Sequence, residues 1–159
     1  MVASNDPVVV AFDGSDESRA AVTAAARLFA GRPLLIVSVW KPGLALMAQS
    51  YSDPLTGSYL IPPPEMSAMV DNVEREHGGA MADAGARLAR TLGAEAEPLA
   101  IPDGDIADAI SMVADERDAA AVVVGSRGLG AVKSKLLGST SRRLLHESQR
   151  PVLVVRAGG

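Results

Sequence analysis

"AAAVVVGSRGLGAVKSKLLGST" (residues 119–140) sets an uninterrupted apolar run against a loop with four glycines, three cationic side chains and a closing Gly-Ser-Thr. The apolar half shows no polar alternation, which is how a strand buried on both faces of a parallel sheet reads. Its strand is placed at 119–125. Similar runs recur at "PVVVAF" (7–12), "PLLIVSVW" (33–40) and "PVLVVR" (151–156), while the more alternating "AEAEPLAI" (94–101) suits an edge.

Between these runs the spacing becomes helical. Segment 16–30 places Ala21, Ala25 and Leu28 on one face, behind a Ser15 N-cap, with Asp16 and Glu17 in the first turn and Gly31 just past the end. Segment 65–92 carries a stripe at Met66, Val70, Val73, His77, Met81, Ala84, Leu88 and Leu92, with Gly78-Gly79 as a weak point inside it. Further helices are expected over 105–117, burying Ile106, Ala109, Ile110 and Val113, and over 139–148.

Strict alternation of strand and helix predicts one doubly wound α/β domain over residues 1–159, with a five-stranded parallel sheet and helices on both faces. Ligands in such folds sit beyond the carboxyl ends of the strands, where the strand order reverses. Those ends are Asp13-Gly14-Ser15, Val39-Trp40, Ile101 to Gly104, and the loop that begins at Gly125. The Pro-, Gly- and Ser-rich segment 41–64 fits no regular element and reads as a flap over that site or as a disordered insertion.

Composition narrows the function. Aromatic residues are 3% of the chain and hydrophobic residues 48%, so the core is built from Ala, Val, Leu and Ile. A net charge of -4 argues against a nucleic-acid binder. Yet Arg127, Lys133, Lys135, Arg142, Arg143 and Arg150 gather in one C-terminal segment, where a small anion would be welcome. With no cysteine, disulfides, thiolate metal sites and cysteine nucleophiles are excluded. No apolar run is long enough to span a bilayer, and the N-terminus lacks the pattern of a signal peptide, so a cytoplasmic protein without membrane attachment is expected. His77 and His146 belong to no catalytic or metal constellation and read as structural or solvated, and Met66, Met69 and Met81 read as packing. No catalytic residue is nominated.

The glycine loop fails two phosphate-binding patterns. Gly125 and Gly130 have the P-loop spacing, but Ala131 stands where the lysine belongs; Gly128 and Gly130 begin a dinucleotide fingerprint, but Lys133 occupies the third glycine position. The physical parts of an anion cradle are nevertheless present. A strand ends at Gly125, glycines permit close approach to backbone N–H groups, and Gly138-Ser139-Thr140 opens a helix with unpaired donors. Hydroxyls of Ser126, Ser139 and Thr140 add donors, and Arg127 or Lys133 can compensate charge.

These residues carry a resemblance. Gly125-x2-Gly128-x9-Gly138-Ser139 resembles the ATP-binding signature of the universal stress protein family, G-x2-G-x9-G-[ST], and the likeness extends through "VVVAFDGSDES", "LLIVSVW", "DGDIADAI", "VVVGSRGLG" and "PVLVV". It implies strand order 3-2-1-4-5 and a homodimer joined through the edge strand 151–156. It also implies a phosphate cradle of Gly125, Gly128, Gly138 and Ser139, with Arg127, Gly130 and Thr140 as neighbours. Asp13 then lies near the ribose and a nucleotide-bound Mg²⁺, with no direct metal site in the protein. Val39 meets adenine through its backbone, and Ala11 and Phe12 line the same pocket. Without the motif, Asp13 reads as turn chemistry with Ser15, and Trp40 as a strand-end core residue. The function implied is an ATP-binding regulator of the stress response acting on an unidentified signalling protein. The alternatives are a slow ATPase or nucleotidyl-transfer enzyme, a cyclic AMP sensor, and an interaction protein with a silent pocket.

Overall fold

Each apolar run becomes a strand and each helical interval a helix. In the computed structural model, which describes residues 5–43, 55, 63–128 and 137–158, the chain runs β1 (Val8–Ala11), α1 (Asp16–Leu28), β2 (Leu34–Trp40), α2 (Pro64–Thr91), β3 (Ala96–Pro102), α3 (Ile106–Glu116), β4 (Ala121–Gly125), α4 (Ser139–Glu147) and β5 (Val152–Val155). All strands pair in parallel, in the order β3-β2-β1-β4-β5. Strand order therefore reverses at β1, whose neighbours β2 and β4 lead away to opposite edges.

The continuous apolar strands serve two cores at once, because alternate residues face opposite sides of a sheet. Val8, Val10, Leu34, Ile36 and Val123 pack beneath α1 and α2; Val9, Leu35, Val37, Val122 and Val124 pack beneath α3 and α4. Ile110 and Leu144, both fully buried, anchor α3 and α4 to this second face. Truncating such a side chain to alanine costs about 2–5 kcal/mol.

Helix α2 departs from the expected stripe. Its buried face consists of small residues: Gly78, Ala82, Gly85, Ala86 and Ala89. Met81, Ala84 and Leu88 flank that face against the core, while Met66, Met69, Val73 and His77 are exposed. The reason is the close seating of the helix on the sheet. A Cβ at Gly85 would lie 2.6 Å from Ile36 Cγ2 and 2.8 Å from Phe12 Cγ; one at Gly78 would lie 3.0 Å from Trp40 Cδ1. Gly78 is therefore the seat of Trp40, which packs at the end of its strand, and not a defect of the helix.

Of the segment 41–64, the exit from β2 is described, and Gly43 donates its N–H to Asp71 Oδ1 of α2 at 2.7 Å. Of this segment, expected as a flap or a disordered insertion, residues 44–62 lie, but for Leu55, outside the described residues.

Candidate functional site

The site begins where β1 stops. Its last bond to β2 is Phe12 N–H to the Val37 carbonyl, 2.9 Å, after which the chain turns through Asp13-Gly14-Ser15. Asp13 Oδ1 accepts from the Ser15 N–H at 3.0 Å and from the Ser15 hydroxyl at 2.6 Å. The Ser15 hydroxyl in turn caps α1 by accepting from Ser18 N–H at 3.1 Å. The turn chemistry read in the sequence is thus present at Oδ1. The other oxygen, Oδ2, approaches Gly128 so closely that a Cβ there would be 2.6 Å away.

The end of β4 lies alongside. A Cβ at Gly125 would meet Glu17 Cβ at 2.7 Å and the Glu17 carbonyl carbon at 2.8 Å, so the first turn of α1 is seated directly against this strand end. Ser126 donates its N–H to Val155 at 2.7 Å, and its carbonyl accepts from Gly138 N–H at 2.7 Å and from the Ser141 hydroxyl at 3.1 Å. These bonds fix the start of α4 beside β4. Gly138 is the N-cap of α4 and supplies no capping side chain, so the first-turn N–H groups are left for water or a ligand. Arg127 pairs with Glu17 across 2.9 Å.

Between these ends and α3 lies a cleft of about 440 Å³, a volume suited to a small ligand. Ala11, Val37, Val39, Ile106, Ile110 and Val124 form its apolar part. Asp13, Gly125, Arg127, Gly128, Gly138, Ser139 and Thr140 form its polar end. The described residues that the resemblance assigns to the site all line this one cleft, whereas Ser126, offered as a hydroxyl donor, is buried and does not line it; Gly130 and Lys133 lie outside the described residues. Phe12 reaches the cleft differently from the expectation, because its ring is turned to the α1–α2 face, against Gly85 and beneath Arg19. The α3 wall is the addition that sequence reasoning missed. Its signal was available: Asp105 as N-cap followed by Ile106 and Ile110, one turn apart, at the carboxyl end of a strand.

The rim is charged. Asp105 caps α3 by accepting from the N–H groups of Ala107 and Asp108 at 3.0 and 3.1 Å. Arg143 of α4 donates to Asp105, to Asp108 at 2.8 Å and to Glu147 at 2.8 Å. The Asp108 N–H and then Arg143 hold the Asp105 carboxyl below its usual range. Hydrogen bonding from Arg143 does the same for Glu147, and Glu147 foremost raises the guanidinium in return. This network joins the two helices that flank the cleft. Among the described residues no helix is long and apolar enough to cross a membrane.

A parallel sheet with a part-apolar, part-polar cleft at its switch point is the architecture of the doubly wound α/β class, whose ligands bind at that place. The model of the universal stress protein family matches residues 4–156, and the chain belongs to that family. It is 32% identical over 149 residues to universal stress protein YxiE of Bacillus subtilis, covering 94% of this chain and 97% of the relative. With a universal stress protein of Thermus aquaticus it shares 31% over 151 residues, again 94% and 97% of the two chains. Among solved structures, universal stress protein UspA of Lactobacillus plantarum has the same fold, with a TM-score of 0.72 at 19% identity over 97% of this chain and 99% of the other. A universal stress protein in complex with cAMP superposes with a TM-score of 0.62 at 27% identity, covering 98% of this chain and 100% of the other. One from Archaeoglobus fulgidus in complex with dAMP gives 0.61 at 26%, covering 94% and 96%.

Proposed function

We propose that this chain is a cytoplasmic, ATP-binding regulator of the stress response, in which nucleotide occupancy tunes conformation or contacts with a signalling protein. The observation that carries the reading is the convergence of Ala11 to Asp13, Val39, Gly125, Arg127, Gly128 and Gly138 to Thr140 on one ligand-sized cleft. Relatives in complex with cAMP and dAMP favour adenine nucleotides as the ligand class.

The two ends of the cleft suit the two ends of the ligand. Along β2 the main chain alternates its partners: the Pro33 and Val37 carbonyls serve β1, whereas the Leu34 N–H and the Trp40 carbonyl serve the β3 side. By that period Val39 turns its N–H and C=O toward β1, one step beyond the last β1–β2 bond. A donor and an acceptor side by side there match the N1 and N6 edge of adenine, with Ile106 and Ile110 excluding water. At the other end, the bare approach at Gly128 and the uncapped start of α4 offer backbone donors to phosphate oxygens. Asp13 would reach a Mg²⁺ carried by those phosphates, and such an ion would supply charge neutralisation. Dimerisation through 151–156 is supported by β5, an apolar edge strand paired on its β4 side.

Displacement of a fluorescent adenine nucleotide by ATP and by cAMP tests the reading. ATP displacing at concentrations at least about tenfold lower, roughly a 1.4 kcal/mol preference, supports it; cAMP displacing first moves the function to a cyclic-nucleotide sensor. Sustained turnover of ATP, abolished in Asp13→Ala, would make the chain an enzyme.

A further inference from the structure

Arg127, a cation at the polar end of the cleft, is already engaged by a carboxylate of the protein. Arg127 lines the cleft and pairs with Glu17 at 2.9 Å, the Glu17 side chain being 14% exposed and that of Arg127 32%. Glu17 is held in place from two directions. It lies in the first turn of α1, whose N-cap is fixed by Ser15, and its backbone and Cβ abut Gly125 with no room for a methyl group. Glu17 does not itself line the cleft; its carboxylate stands behind Arg127, so an anion entering the cleft meets a guanidinium already engaged by a carboxylate. It must draw Arg127 away from Glu17 or bind next to a negative charge that opposes it.

We propose that Glu17 is a specificity-determining residue of the cleft, setting its affinity for nucleoside polyphosphates by holding Arg127 and by repelling phosphate. The inference rests on the nucleotide reading above and deepens it. Adenosine, which has no phosphate, is indifferent to the pair; each added phosphate makes the ligand more dependent on Arg127 and more sensitive to Glu17. Glu17 thereby keeps occupancy responsive to ATP concentration instead of saturating the site. Because α1 also packs against β4 and β5, release of the pair on binding is felt next to the edge strand.

The test measures the dissociation constants of adenosine, AMP and ATP, by calorimetry or displacement, for the wild-type chain and for Glu17→Gln, Arg127→Gln and the double variant. Glu17→Gln keeps the side chain's size, and adenosine binding reports that each variant retains a formed cleft. Glu17→Gln is expected to tighten ATP about three- to fivefold, AMP less and adenosine not at all, the scale of a partly exposed ion pair yielding one partner. In the Arg127→Gln background the gain is expected to shrink to what repulsion alone supplies. Unchanged or weakened ATP binding in Glu17→Gln, or equal changes for ATP and adenosine, would overturn the inference while leaving the nucleotide reading standing. Failure of ATP to bind the wild-type chain overturns that reading and this inference together.

Discussion

Gly128 lies against the Asp13 carboxylate at a distance no side chain would permit: a Cβ would sit 2.6 Å from Oδ2, while Oδ1 is held by Ser15. The ends of β1 and β4 meet through this contact, and it places an acidic group beside a bare stretch of backbone. Gly128→Ala is expected to push Asp13 aside without unfolding the chain, since the obstructing atom is a side-chain end. ATP affinity should fall at least about tenfold, roughly 1.4 kcal/mol, with little change in melting temperature. Gly138 contrasts with it: its φ of -72° suits any residue, and a Cβ there makes ordinary contacts at 3.5 Å. Gly138→Ala should therefore weaken ATP less than Gly128→Ala.

The glycines of α2 should respond with opposite signs to the same substitution. Gly79 has open space around it, so Gly79→Ala is expected to raise unfolding free energy by about 0.5–1 kcal/mol through helix propensity. Gly85→Ala adds a methyl group against Ile36 and Phe12 and is expected to lower it by about 1–3 kcal/mol. Urea denaturation of both variants checks this.

Base selectivity should follow from the Val39 main chain. Guanine presents a donor at N1 and an acceptor at O6, the reverse of adenine, so its edge opposes the N–H and C=O of Val39. GTP is expected to bind about ten- to a hundredfold more weakly than ATP, the scale of leaving a buried pair unmatched, about 1–3 kcal/mol. Competition of GTP against a labelled adenine nucleotide measures it.

The Arg143 network should be visible as acid sensitivity. Asp105 and Glu147 have carboxyls lowered from reference values of 3.8 and 4.5. A carboxylate whose pKa is depressed on folding stabilises the fold above its unfolded pKa and loses that contribution as pH falls through the folded value. The melting-temperature difference between wild type and Arg143→Ala is thus expected to be constant from neutral pH down to about 5 and to shrink below about 4. A difference that persists at low pH would show that the three carboxylates are not what Arg143 serves.

The strands and helices were legible because patterning and capping agreed: unbroken apolar runs gave parallel strands, and Ser15 stood as the N-cap where α1 begins. Helix α2 was misread at its face. Periodicity ranks residues by size and apolarity, whereas the close seating of this helix selects Gly78, Gly85 and the alanines. At the site, the glycine spacing pointed to the polar end of the cleft and the ends of β1 and β2 to the apolar part. The α3 wall and the Glu17–Arg127 pair were not legible, since both depend on contacts between elements distant in sequence. The side on which Phe12 places its ring was legible, since it continues the alternation of Val8 and Val10 toward α1 and α2, whereas Ala11 turns to the other face.

The central claim is that the cleft binds ATP, and calorimetric titration of nucleotide-free protein with Mg-ATP tests it most directly. One site per chain with micromolar affinity, weakened at least about tenfold in Gly128→Ala, is the result predicted. No heat, and no displacement of a labelled adenine nucleotide up to millimolar ATP, would contradict it and leave the chain a universal stress protein whose cleft serves another ligand.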